Sequence, residues 1–183
     1  MRVLVTYGSK RGGTAGLAEM LAAALTAHGL SVDVLPATEA NGVEGYDAVI
    51  VGGALYTGRW HRDARRFVKR HAQELQSLPV WLFSSGPLDD SAARNELPPV
   101  AQVERLMSWI GARGHRTFGG RLLPDAKGFI ASRMARAHSG DWRDPQLVRA
   151  WAGEIAAGLR ARQEAPQGAW PHVEEQPPEA PIG

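Results

Sequence analysis

The sequence predicts a doubly wound α/β domain: a five-stranded parallel sheet in the order 2-1-3-4-5 with helices on both faces. Three observations carry this. Strand-like and helix-like hydrophobic patterns alternate along the chain, as they do where parallel strands are joined by crossover helices. Two short runs, Asp47-Ala48-Val49-Ile50-Val51-Gly52 and Val80-Trp81-Leu82-Phe83, are almost wholly apolar, which suits strands buried on both faces. The first strand leads into a turn rich in glycine and hydroxyl residues that opens directly onto a helix.

The elements follow in order. Arg2 to Thr6 is the first strand. Leu17, Met20, Leu21 and Leu25 recur at helical spacing, and Gly29 stops that helix. Ser31 to Leu35 alternates apolar and polar, as a strand near an edge does. The run from Asp47 to Gly52 is the central strand, and Phe67, Val68, His71 and Leu75 form the buried stripe of the next helix. After the strand Val80 to Phe83, a fourth helix carries Val100, Val103, Leu106, Met107 and Ile110 and ends near Gly114. Thr117 to Leu123 is the predicted last strand, weakened by Gly119-Gly120. In the final helix Asp144 caps, Pro145 occupies the first turn, and Leu147, Val148, Trp151, Ile155 and Leu159 make the stripe.

Composition narrows the class. A chain of 183 residues suits one domain, expected over residues 1–162. From Gln163 to the last residue the sequence is rich in Pro, Glu and Gln, and a disordered tail is expected there. There is no cysteine, which excludes disulfides, thiolate metal sites and thiol redox chemistry. Any electrons must travel on a bound cofactor. The net charge is +2, with basic residues scattered rather than massed, so no nucleic-acid partner is expected. No apolar run reaches membrane-spanning length, and the first residues form a strand rather than a leader. A cytoplasmic protein is the resulting expectation. The histidines are dispersed without ligand spacing, so no metal site is expected.

Ligands of such sheets bind beyond the carboxyl ends of the strands, where the strand order reverses. Three loops lie at that edge, after Thr6, Gly53 and Phe83. The first, Tyr7-Gly8-Ser9-Lys10-Arg11-Gly12-Gly13-Thr14, aims backbone N–H groups at one point, where the positive end of the helix dipole adds to them. That is a phosphate site. A nucleoside triphosphate loop needs Lys after its last glycine, but Thr14 follows Gly13. A dinucleotide fingerprint needs G-x-G-x-x-G and an acidic residue ending the second strand, whereas that strand ends at Leu35-Pro36. A monophosphate held by amides and hydroxyls fits. The bland alternative is an ordinary strand-to-helix turn with surface cations.

On these residues the chain resembles the flavodoxin family, whose first loop reads hydroxyl, two variable residues, Gly, one residue, Thr. Ser9, Lys10, Arg11, Gly12, Gly13 and Thr14 occupy those positions. The resemblance implies FMN, with its phosphate in this loop. It also implies that Ala54, Leu55, Tyr56, Thr57 and Gly58 border the flavin ring, with Tyr56, or else Trp60, stacked on it. The third loop, with Ser84, Ser85, Gly86 and Leu88, contains no aromatic, whereas electron carriers commonly sandwich the ring. One face would then be open, or covered by Leu88 or a later segment. An open face suits an enzyme.

Tyr46 to Gly58, Phe67-Val68-Lys69-Arg70-His71-Ala72 and Leu78-Pro79 narrow the resemblance to the menaquinone-dependent protoporphyrinogen oxidases. Those enzymes pass electrons from a haem precursor to a quinone, so a porphyrinogen and a quinone become the expected small-molecule partners. Their insertion before the last helix corresponds here to Leu122 to Arg143, with Phe129, Ile130 and Met134 among Lys127, Arg133, Arg136 and His138. It can cover the open flavin face, touch an anionic membrane surface, or pack as an ordinary helix. The second of these would put the protein peripherally at the inner membrane face. Lys10 and Arg11 can neutralise the phosphate, meet substrate carboxylates, or point into water. His61 is the candidate for proton transfer, while His71 falls on a buried stripe. Two further readings stay open: a flavodoxin-type electron carrier docking to a redox protein, and a fold that has lost FMN. The basic pI of about 9.3 and the Lys10, Arg11, Arg59 and Arg62 cluster argue against an acidic-rimmed carrier.

Overall fold

The computed structural model describes residues 1–10, 12–122 and 140–164. In chain order the first half contains β1 (Arg2–Gly8), α1 (Gly13–Ala27), β2 (Ser31–Pro36), β3 (Ala48–Tyr56), β4 (Arg59–Trp60), α2 (Arg62–Arg70) and α3 (Ala72–Gln76). The second half contains β5 (Val80–Ser85), α4 (Ser91–Arg94), α5 (Ala101–Ile110), β6 (Gly114–Phe118), β7 (Arg121–Leu122), β8 (Gly140–Asp141) and a last helix, α6 (Pro145–Glu164). The sheet runs β2-β1-β3-β5-β6, all parallel, with β4 added antiparallel to β3. This is the predicted doubly wound order, with β5 and β6 as the fourth and fifth strands.

Alternation along β1 explains the two layers. Val3 and Val5 face one side, against Leu17, Leu21 and Leu25 of α1 and Val148, Trp151, Ile155 and Leu159 of α6. Leu4 faces the other side, with Phe67 and Val68 of α2, Leu75 of α3 and Val103, Leu106 and Ile110 of α5. Each of these side chains is removed from water, and burying one contributes about 1.5–3 kcal/mol. β2 pairs only with β1 and is half-exposed, as its alternating sequence predicts. Asp144 caps α6 as expected, its Oδ1 accepting from Gln146 N at 2.8 Å and Leu147 N at 3.3 Å.

Several boundaries differ from the sequence reading: β1, β3 and β5 run on to Gly8, Tyr56 and Ser85, past the predicted Thr6, Gly52 and Phe83. The last strand of the main sheet is Gly114–Phe118, not Thr117 to Leu123, and Gly119-Gly120 break it from β7. Trp81 of β5 pairs in register with Gly114, whose missing side chain leaves room for the indole. Helix α5 accordingly ends earlier, at Gly111, which takes a left-handed φ of 64°. The helix predicted through Phe67 and Leu75 breaks at His71 (φ −109°, ψ 22°), so that α2 and α3 are separate. Helix α6 runs to Glu164, and residues 165–183 of the predicted tail lie outside the described residues.

Candidate functional site at the carboxyl ends of β1, β3 and β5

The loop expected to hold a phosphate is built around Gly12. Gly12 caps α1 in a left-handed conformation (φ 75°) that its lack of Cβ permits, and no side chain caps the helix among the described residues. The first-turn N–H groups, from Gly13 to Ala15, have no intrahelical acceptor by helix geometry, and no acidic residue competes for them. Thr14 is 1% exposed, and its Oγ1 is buried with no partner among the described residues. An orphan hydroxyl beside free helix N–H groups fits a bound oxyanion. Ser9 is half-buried and Lys10 exposed, while Arg11 lies outside the described residues.

The second loop is a tight hairpin. Leu55 faces Trp60 and Tyr56 faces Arg59, so Thr57-Gly58 make the turn with φ of 49° and 72°. The turn brings Tyr56 to the phosphate loop, where its hydroxyl accepts from Lys10 N at 3.4 Å. Ala54 is buried, Leu55 and Tyr56 are half-buried, and Thr57 and Gly58 are exposed. Trp60, the other aromatic candidate, is 1% exposed and fills the core instead; a Cβ at Gly53 would fall 2.5 Å from its indole. Of the two aromatic candidates, only Tyr56 is half-exposed at the loops.

The third loop is tied down on both sides. Gly86 N donates to Phe118 O at 3.2 Å, and Gly120 N donates to Pro87 O at 2.7 Å. A Cβ at Gly86 would meet Leu55 Cδ1 at 2.9 Å, so the second and third loops touch there. Leu88 packs over Gly120, where a Cβ would lie 3.2 Å from its Cδ2. Ser85 is buried. Ser84 is fully buried and its Oγ is engaged by His115 Nε2 at 2.9 Å, leaving only its main chain toward the edge. Burial pushes the His115 pKa down to about 4, so the ring is neutral.

His61 joins the loops from below. It is 5% exposed and caps α2, its Nδ1 accepting from Asp63 N at 3.4 Å. Its ring meets that of Tyr56 edge-on, with centroids 6.0 Å apart. A Cβ at Gly8 would lie 2.9 Å from its Nδ1, so glycine is required at the end of β1. Burial holds its pKa below the ordinary histidine value; Asp63 opposes this, and Lys10, Arg62 and Arg65 add to it. His71 is also buried, between Phe67, whose ring lies 4.8 Å away, and Glu74 at 3.8 Å. It belongs to the core beneath α2, away from the loops.

Sequence reasoning missed the ribbon beside the phosphate loop. β7 and β8 pair antiparallel, bringing the two ends of the predicted insertion together. Arg121 lies against Gly13, whose Cβ would be 3.4 Å from its backbone, and the Arg143 guanidinium lies on Gly16 of α1. Arg143 Nε holds Asp141 Oδ1 at 2.7 Å, which lowers the Asp141 pKa. Trp142 N donates to Gly120 O at 3.0 Å, linking ribbon and third loop. The glycines at 13, 16 and 120, each contacted by a distant segment, were the available signal. Residues 123–139, with Lys127, Phe129, Ile130, Arg133, Met134, Arg136 and His138, lie outside the described residues.

A parallel sheet in this order, with a phosphate loop at β1 and two loops beyond β3 and β5 at the same edge, defines a flavodoxin-fold redox protein. The flavodoxin-domain family model matches residues 4–155, and the chain belongs to the flavodoxin family. That membership makes FMN its cofactor, and the orphan hydroxyl of Thr14 and the helix N-terminus without a side-chain cap fit the phosphate. Among proteins of known activity, the chain is similar to the protoporphyrinogen IX dehydrogenase (quinone) of Escherichia coli K12, at 33% identity over 86 residues. The match covers 46% of this chain and 48% of the relative, so the chain spans about half the length of the curated relatives it matches. Among solved structures, a flavodoxin mutant from Pseudomonas aeruginosa gives a TM-score of 0.59 at 18% identity, covering 87% of this chain and 99% of that one. Rubredoxin oxygen:oxidoreductase from Desulfovibrio gigas gives 0.62 at 14% identity, covering 90% of this chain and 37% of that one. Both likenesses are of fold.

Among the described residues no three His, Cys, Asp or Glu side chains gather as a metal site, and no helix is long and apolar enough to cross a membrane.

Proposed function

We propose that this chain is an FMN-dependent oxidoreductase that oxidises a porphyrinogen and passes the electrons to a quinone. The observation that carries the reading is the third loop. It presents Gly86, Pro87 and Leu88 but no aromatic ring, and it is held against Gly120. A planar cofactor stacked by Tyr56 on one side would keep its other face for a flat substrate. The partial likeness to the quinone-linked protoporphyrinogen IX dehydrogenase supports the choice of substrate and acceptor.

Bound FMN would supply two-electron redox chemistry: in each round the donor loses two electrons and two protons and one quinone gains them, and three such rounds carry a porphyrinogen to the porphyrin. The chain's own part is placement. The first-turn N–H groups of α1, the Thr14 hydroxyl and Ser9 are suited to the phosphate, and the hairpin at Thr57-Gly58 to the ring edge. Lys10 is exposed at the first loop, and Arg59 and Arg62 are exposed beside the second. Their charge favours a substrate bearing carboxylates, and it opposes the acidic rim by which an electron carrier finds basic partners. The same cations, with the basic insertion, favour peripheral contact with an anionic membrane holding the quinone.

The test is anaerobic turnover of the FMN-loaded protein with protoporphyrinogen, following porphyrin fluorescence with and without a soluble menaquinone analogue. Quinone-dependent porphyrin formation above the protein-free rate is expected. Absence of turnover, with fast electron exchange to a redox protein instead, would overturn the enzyme reading in favour of a carrier.

A further inference from the structure

His61 does more than cap a helix. Its Nδ1 accepts the Asp63 N–H at 3.4 Å, and the Asp63 carboxylate, 3.6 Å from the same nitrogen, lies at 3.3 Å from Arg62 Nε. The tautomer in which Nδ1 accepts this N–H puts the lone pair there. In a neutral imidazole the proton then sits on Nε2, which makes Nε2 a donor. That donor is buried and has no acceptor among the described residues. Buried donors in folded proteins are nearly always paired. The imidazole that carries this one stands between two loops: its Nδ1 lies 2.9 Å from where a Gly8 Cβ would be, and its ring meets that of Tyr56, whose hydroxyl accepts from Lys10 N.

A molecule whose phosphate occupies the first loop and whose ring lies at the second and third must run its connecting chain between them. In FMN that chain is a polyol ending in a phosphate ester, rich in acceptor oxygens. We propose that His61 is a cofactor-positioning residue, its Nε2–H donating to an oxygen of the ribityl-phosphate chain of FMN. The inference rests on FMN being the cofactor of this fold. It explains why a histidine stands at a helix cap that Ser, Asp or Asn would serve as well. The Thr6 hydroxyl, also buried and unpartnered, faces the same side of β1 as Leu4 and Gly8. It makes an internal water the competing partner for Nε2.

The experiment uses the full chain and FMN itself. His61→Asn keeps a capping oxygen for the Asp63 N–H but removes the Nε2 donor, whereas His61→Ala removes both. Calorimetric titration should find FMN held about tenfold more weakly by His61→Asn. The cofactor-free melting temperature of that variant should stay within about 2 °C of the parent, with His61→Ala lower. In parent protein carrying ¹⁵N-histidine, the Nε2–H resonance should shift downfield and gain protection from exchange when FMN is added. His61→Asn binding FMN as tightly as the parent, or an Nε2–H resonance indifferent to FMN, would overturn the proposal and assign the donor to internal water. A parent protein that took up no FMN would overturn the cofactor assignment as well, so the two failures are distinguishable.

Discussion

Replacing Thr14 by valine should move stability and cofactor affinity in opposite directions. The side chain is 1% exposed, and its Oγ1 has no partner among the described residues. Leaving a buried hydroxyl unsatisfied costs about 1–3 kcal/mol, and a methyl group of nearly the same shape removes that cost. Allowing for imperfect packing, cofactor-free Thr14→Val should gain about 1 kcal/mol. For a chain of this size that raises the melting temperature by about 2–4 °C. If the loop holds the FMN phosphate, the hydroxyl should donate to a phosphate oxygen, a charge-assisted bond worth about 1.5–3 kcal/mol. Its loss should weaken FMN about 10- to 150-fold. Scanning calorimetry of the cofactor-free protein and isothermal titration with FMN measure the two effects separately. A variant that melts lower without cofactor and yet binds FMN normally would make Thr14 a packing residue and refute the reasoning.

Other consequences follow from the packing. Gly53→Ala would set a methyl group 2.5 Å from the buried Trp60 indole, so it should lower unfolding stability by about 1–3 kcal/mol in urea titration. Asp144→Ala should cost about 1 kcal/mol by the same measure, since it removes the cap shared by Gln146 N and Leu147 N. His115 is neutral in the fold and titrates at about 4, against about 6.5 in the unfolded chain. The unfolded chain therefore binds more protons in that interval; the stability from this group is full above pH ~6.5 and lost as pH falls toward about 4, by at most ~3 kcal/mol. His115→Gln, which can still bond Ser84, should flatten the slope of unfolding stability across that window.

Much of the scaffold is legible in the sequence, for physical reasons that vary by element. The central strands could be read because β3 and β5 are buried on both faces and need continuous apolar runs. The turn between β1 and α1 could be read because a left-handed glycine at a helix N-terminus and the residues around it leave a pattern several residues long. The last strand could not. Gly114 and His115 do not look like strand residues, and they pair with β5 because Trp81 fills the space left by the glycine. The break at His71 likewise reflects tertiary packing on Phe67 rather than a local stop signal. Trp60 and Tyr56 are both aromatic, and only the register of the hairpin decides that one is buried and the other meets the phosphate loop. The ribbon at Arg121–Leu122 and Gly140–Asp141 joins segments separated by the insertion, a pairing no local pattern announces.

Turnover of small molecules on the bound flavin is what separates the proposed enzyme from an electron carrier. It is tested most directly by single-turnover absorbance of the FMN-loaded protein, mixed anaerobically first with protoporphyrinogen and then with a menaquinone analogue. The oxidised flavin absorbance should bleach with the first reagent and return with the second. Flavin that stays oxidised in the presence of excess porphyrinogen, while a chemical reductant bleaches it at once, would contradict it.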